Sequence, residues 1–210
     1  MRGSAQEGIV MKWVVVDYGQ VVCRTPPEDA AARLPRALGA DPDRFWAAYW
    51  EGRGPYDLGT VDAAGFWGEL CGRLGRTAGT ALLDTLVGLD LEMWSHLDHG
   101  TIAILEELAA RRVPLALLSN APLEMARHIE QRPWAGMFRH RFFSADLRLA
   151  KPDPRIYRHV SQCLAAQPRD VVFVDDRPEN VEGARAAGLR GLLFTGADRL
   201  RLDLDLPAPD

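Results

Sequence analysis

A chain of 210 residues has the size of one large domain, or of one domain carrying an insertion, against a usual roughly 100–200 residues per domain. Hydrophobic residues at 47% and charged residues at 26% are ordinary globular usage and exclude disordered and fibrous classes. With 25 Lys and Arg against 29 Asp and Glu, the net charge of −4 leaves no basic footprint for nucleic acid or a membrane surface.

Residues 1–10 read as an N-terminal extension, since MRGSAQEG has no apolar stretch of signal-peptide length and Met11 stands before the first strand as an alternative start. Lys12–Val16 (KWVVV) is a short β-branched run that predicts a buried strand ending at Asp17, Gly19 and Gln20. From Pro26 to about Leu97 no strand pattern appears. Three helical patterns follow one another there: one opened by Asp41-Pro42, one opened by Thr60, and one over 81–93. Trp46, Tyr49, Trp50, Phe66 and Trp67 recur in them at near-helical spacing and predict a small aromatic core, with a ligand cage as the alternative. Arg53, Tyr56 and Asp57 in EGRGPYDLG read as a solvated hinge, or alternatively as groups facing a site.

Beyond residue 97, strands are predicted at 113–118, 171–174 and 191–194, alternating with helices over 102–111, 123–131, 154–165 and 178–187. This alternation predicts an α/β fold, a Rossmann-like doubly wound parallel sheet with an all-helical cap inserted after the first strand. The core then covers 11–25 and 97–206, the cap 26–96, and the hinges lie near Arg24–Pro27 and Ser95–Gly100. Cys23, Cys71 and Cys163 are odd in number and lack zinc-type spacing, which fits a reducing cytoplasm. No run approaches the about 20 apolar residues of a membrane span.

Four polar clusters follow predicted strands: Asp17-Tyr18-Gly19-Gln20, Ser119-Asn120, Lys151-Pro152-Asp153-Pro154 and Asp175-Asp176. Each has a dull explanation alone; Asp176 and Glu179, for instance, have the spacing of a helix capping box. Together they gather carboxylates that raise one another's pKa unless a cation is bound, and oxygen ligands of this kind suit Mg²⁺. Ser119 and neighbouring N–H groups, with Arg24 as a further candidate, suit an anion. Lys151, one of only two lysines among the 25 basic residues, adds a compact ammonium. A carboxylate nucleophile, a cation, a hydroxyl and an ammonium together favour phosphoryl transfer.

The order hhhhDxGxV, hhhSN, KPDP and hhhDDxxxN over about 12–195 resembles the haloacid dehalogenase-like (HAD) hydrolase superfamily, in its subgroup with an early helical cap. The resemblance implies Asp17 as the nucleophile that forms an aspartyl-phosphate, with Ser119, Asn120 and Lys151 holding the phosphoryl group. It implies Mg²⁺ held by Asp17, the carbonyl of Gly19, Asp175 and Asp176, with Asn180 in support. The usual second Asp of the first motif, a general acid and base, is Gly19 here, as in similar sugar-phosphate phosphatases with Asp-x-Gly. Tyr18 and Gln20 are not obvious substitutes, and His96 and His99 read as surface or core residues. The expected activity is a Mg²⁺-dependent phosphatase of a small phosphorylated metabolite, working as a monomer or homodimer. The alternatives are a slow or non-catalytic phospho-ligand-binding relative and a dehalogenase-type hydrolase.

Overall fold

A computed structural model describes residues 12–207, so the predicted extension at 1–10 and the last three residues lie outside the described residues. The first strand, β1 (Trp13–Val16), is central in a five-stranded, wholly parallel sheet. Its companions are β2 (Leu115–Ser119), β3 (Phe138–Phe143), β4 (Val171–Asp175) and β5 (Arg190–Leu193), in the order β3-β2-β1-β4-β5. The chain builds outward from β1 on one side and then crosses to the other, so the carboxyl ends of β1 and β4 flank the reversal where ligands collect in such sheets.

Period-2 alternation distributes the strand side chains between two apolar faces. Val14, Val16, Leu115, Leu117, Val172 and Val174 pack under α6 (His99–Ala110), α7 (Leu123–Glu130) and α11 (Ala197–Asp203). Val15, Ala116, Leu118, Val171 and Phe173 pack under α9 (Pro154–Cys163) and α10 (Pro178–Ala186). By the same parity Asp17 and Asp175, one step past β1 and at the end of β4, belong to the α9 side with Val15 and Phe173.

Between β1 and α6 lie only helices: α1 (Glu28–Ala31), α2 (Arg33–Ala37), α3 (Pro42–Asp57), α4 (Ala63–Arg73) and α5 (Thr80–Met93). They enclose a separate hydrophobic cluster around Phe45, Tyr49, Tyr56, Phe66, Trp67 and Leu86. Asp41 caps α3 by accepting from Arg44 N–H at 3.0 Å, with Pro42 in its first turn. The next helix starts at Ala63 with Asp62 as its cap, not at Thr60, whose hydroxyl instead donates to the Pro55 carbonyl. The two connections to the sheet run side by side: Cys23 pairs with Leu97, and Arg24 N–H donates to the His96 carbonyl at 2.8 Å.

Three segments differ from expectation. FRHRFF forms β3, which bonds only to β2, so Arg139 and Arg141 keep their charge at a sheet edge and mask the apolar pattern. Ala197–Asp203 forms α11, where no helix is predicted, and Leu204 just beyond it is buried against the sheet. EGRGPYDLG is no solvated hinge: α3 continues through Pro55 to Asp57, because burial of Arg53 and Tyr56 outweighs the local breakers.

The turn after α3 is pressed onto α8 (Ser144–Leu147) at Gly59, where φ is +70° and a Cβ would stand 2.9 Å from the Ala145 carbonyl oxygen. Gly68, mid-helix in α4, has open space around it. Gly59→Ala is therefore expected to destabilise the fold by more than about 1 kcal/mol. Gly68→Ala should stabilise it by about 0.5–1 kcal/mol. Urea unfolding of both variants beside the parent checks the pair.

Candidate active site

The loop after β1 turns sharply. Gly19 is extended at φ −61°, ψ 125°, and Gln20 takes the left-handed conformation at φ 56°. Asp17 N–H donates to the Val174 carbonyl at 2.9 Å, tying the start of this loop to β4, and one Asp17 oxygen accepts from Tyr18 N–H at 2.7 Å. Lys151 reaches the same point from the loop before α9. Its Nζ lies 2.7 Å from Asp17 Oδ1 and 2.6 Å from Asp175 Oδ2, above the Phe173 ring, with the side chain only 1% exposed.

Lys151 is held from behind. Asn120 Oδ1 accepts from Lys151 N–H and Asn120 Nδ2 donates to the Lys151 carbonyl, both at 2.9 Å, so the β2 loop fixes the lysine backbone. Asp175 is saturated: its second oxygen accepts from Arg177 N–H and Asn180 Nδ2, each at 2.9 Å. Asp176 caps no helix. Its carboxylate has no side-chain partner among the described residues and faces the cavity, and Arg177 takes the cap position of α10 without a side-chain bond.

These groups floor a cavity of about 690 Å³, within the range of small-molecule sites. Asp17, Gly19, Ser119, Asn120, Lys151 and Asp176 line it, and Asp175 lies just beneath at 0% exposure. Arg53, Asp57, Trp50 and Trp94 line it from the helical side. Trp50 is 56% exposed, unlike Tyr49, Phe66 and Trp67, which form the interior of the helical cluster. Arg24 is not brought to the cavity; it is exposed where the chain leaves the core. His96 and His99 also lie outside the lining.

The electrostatics follow from burial. Desolvation pushes Asp17 up to about 7, with Lys151 pulling it down and Asp175 pushing it up. Desolvation lowers the Lys151 ammonium, but the two carboxylates outweigh it and hold the group above its usual value. Burial, then Asp175, raises Asp176. One carboxylate oxygen from each of Asp17, Asp175 and Asp176 lies within 4.8 Å of the others. With all three carboxylates ionised, this cluster and its one ammonium carry two net negative charges, and hard oxygen donors of that charge suit a divalent cation such as Mg²⁺.

The sequence pattern of the haloacid dehalogenase-like hydrolases matches residues 15–188. The chain belongs to this family. This HAD-like hydrolase is 34% identical over 111 residues to flavin mononucleotide hydrolase 1 of Arabidopsis thaliana, covering 53% of the chain and 45% of that protein. It is 34% identical over 94 residues to a phosphoserine phosphatase of Thermus thermophilus, covering 43% and 37%. The HAD-like chain thus spans less than half the length of both relatives. Its fold matches a HAD family enzyme of Bacteroides thetaiotaomicron with a TM-score of 0.76 at 18% identity, covering 92% of this chain and 98% of that one. Another structure of that enzyme holds magnesium and inorganic phosphate. Among the described residues of the HAD-like chain, no helix is long and apolar enough to cross a membrane.

Removing the Lys151 ammonium leaves buried carboxylates unpaired. Lys151→Met is expected to cost about 3–5 kcal/mol near pH 7.5 without added metal. Asp17 has a raised folded pKa, so the folded chain holds a proton the unfolded chain has lost, and stability rises as pH falls from about 7 toward the usual carboxylate range. Lys151 pulls the Asp17 carboxyl down, so its removal raises that carboxyl further, the variant gains more than the parent as pH falls, and the penalty of Lys151→Met should shrink at pH 5.5, as read by urea unfolding at both pH values.

Proposed function

We propose that this HAD-like hydrolase is a Mg²⁺-dependent phosphatase of a small phosphorylated metabolite, acting through an aspartyl-phosphate on Asp17. The carrying observation is the pocket floor, where Lys151 bridges Asp17 and the saturated Asp175 while Asp176 keeps a free carboxylate facing the same cavity. The phosphatase names of the two relatives support the reading.

The metal would be held by Asp17, the carbonyl oxygen of Gly19 and Asp176, with Asp175 in support beneath them. When bound, it supplies charge neutralisation at the phosphoryl oxygens. The chain's own residues do the rest. Lys151 and the Ser119 hydroxyl bind phosphoryl oxygens, and Lys151 holds Asp17 through its Oδ1. Asn120 acts through Lys151, since both ends of its amide are spent on the lysine backbone. Asp17 then attacks phosphorus, the bond to the leaving oxygen breaks, and water hydrolyses the resulting acyl phosphate. Residues 26–96 form a cap whose separate core presents Trp50, Arg53 and Asp57 to the rest of the substrate. The three free cysteines accord with a cytoplasmic location.

Gly19 favours a second reading, a slow or non-catalytic relative that binds a phosphorylated ligand, because general acid–base help is typically worth about 10²–10⁴-fold. Phosphate release from aryl and acyl phosphates decides between them. Turnover is expected with Mg²⁺, falling to background with EDTA and in Asp17→Asn. A parent no faster than Asp17→Asn across the panel excludes the phosphatase.

A further inference from the structure

A phosphatase without a carboxylate at position 19 needs another group to protonate the leaving oxygen. Of the titratable residues lining the cavity, Asp17, Lys151 and Asp176 belong to the phosphoryl and metal site, and the arginines stay charged. The Tyr18 phenol donates to the Trp94 carbonyl at 2.5 Å, and burial raises it far above neutrality. Asp57 remains.

Asp57 ends α3 and is one carboxylate too many for its partner. Arg53 Nη1 donates to Asp90 Oδ2 at 3.0 Å, and Asp90, almost wholly buried, also accepts from Tyr49 Oη at 2.6 Å. Asp90 alone balances the guanidinium. Asp57 Oδ1 nevertheless accepts from Arg53 Nε at 2.7 Å, while its second oxygen has no hydrogen-bond donor among the described residues. One guanidinium cannot neutralise two carboxylates, so this corner carries a surplus negative charge that a proton removes.

The position of Asp57 is fixed against the core. Its backbone carbonyl accepts from the Ser144 hydroxyl, and Ser144 Oγ accepts from Ala121 N–H at 2.9 Å, one residue past Ser119-Asn120. Tyr56 Oη donates to Glu124 Oε2 at 3.0 Å, and Gly59 presses on Ala145. The cap helix therefore meets the core beside the loop expected to hold the phosphoryl group.

We propose that Asp57 is a catalytic residue of this enzyme, the proton donor and acceptor that Gly19 leaves missing. The inference rests on the phosphatase reading. As Asp17 attacks and the P–O bond breaks, the Asp57 carboxyl gives its proton to the leaving oxygen, which takes the electron pair of that bond. In the second half the Asp57 carboxylate takes a proton from the attacking water as the Asp17–phosphorus bond breaks. The cycle consumes one water and returns Asp57 to its starting state. Its surroundings suit both roles: burial pushes the carboxyl up to about 6, Arg53 pulls it down, Asp90 pushes it up, and Arg177 across the cavity pulls it down.

The test is kcat/KM for a series from phenyl phosphate to p-nitrophenyl phosphate, at saturating Mg²⁺. An enzyme with a working acid depends weakly on leaving-group acidity. The parent should show a shallow dependence, and Asp57→Asn should steepen it, losing about 10²-fold on phenyl phosphate and far less on p-nitrophenyl phosphate. Gly19→Asp added to Asp57→Asn should recover phenyl phosphate turnover, since a Cβ at Gly19 meets nothing within 4 Å. A steep dependence in the parent, an equal loss across the series, or no recovery in the double variant overturns the proposal. Where Asp57→Asn fails to fold, Asp57→Glu takes its place: it should keep the shallow dependence on leaving-group acidity, and a steepened dependence in it overturns the proposal, as a steep dependence in the parent does by itself. A parent inactive throughout the series defeats the phosphatase reading itself, whereas an active parent with any of those results defeats Asp57 alone.

Discussion

A buried ammonium between two buried carboxylates holds this structure's centre. Lys151 joins β1, β4 and the loop before α9 through Asp17 and Asp175. Taking three charged groups out of water is costly, and their mutual attraction offsets it only where the remaining polar atoms are satisfied. The surrounding bonds meet that condition. Asp175 receives Arg177 N–H and Asn180, Asp17 receives Tyr18 N–H, and Asn120 clamps the lysine backbone. Four segments far apart in sequence are thereby tied together at the rim by ion pairs and hydrogen bonds, in addition to the apolar packing beneath the sheet.

The parallel sheet makes this arrangement attainable. Because β1 lies between β2 and β4, the residues just beyond each strand converge on one rim, and period-2 alternation sends Asp17 and Asp175 to the side that α9 covers. The same parity separates the adjacent carboxylates: Asp175 turns beneath the rim to brace Lys151, and Asp176 is left facing the cavity. Identical side chains one residue apart thus meet different environments.

Much of this was legible in the sequence because it depends on local order. Apolar β-branched runs ending in Asp, Ser or Asp-Asp mark strand ends, and the rarity of lysine singled out Lys151. What stayed hidden depends on long-range contact. β3 was masked by Arg139, His140 and Arg141, which an edge strand tolerates but a central one does not. The last turn of α3 reads as a hinge because Gly52, Gly54 and Pro55 are breakers, whereas burial of Tyr56 and the pairing of Arg53 with the buried Asp90, 37 residues away, keep the helix intact there. The anchoring of Asp57 spans 87 residues to Ser144, and no periodicity encodes such a contact.

The sheet with its two apolar faces and the separate helical cluster also divide the site. Asp17, Lys151, Asp175 and Asp176 stand at the rim of the sheet, whereas Asp57 stands on the helical cluster, whose α3 is docked on Ser144 and Glu124. A family member with its acid beside the nucleophile holds both groups on one rigid loop. In this chain, on the reading proposed above, the complete set exists only in the docked arrangement. Gly59, pressed against Ala145 where no Cβ fits, is then a requirement of the chemistry as well as of packing.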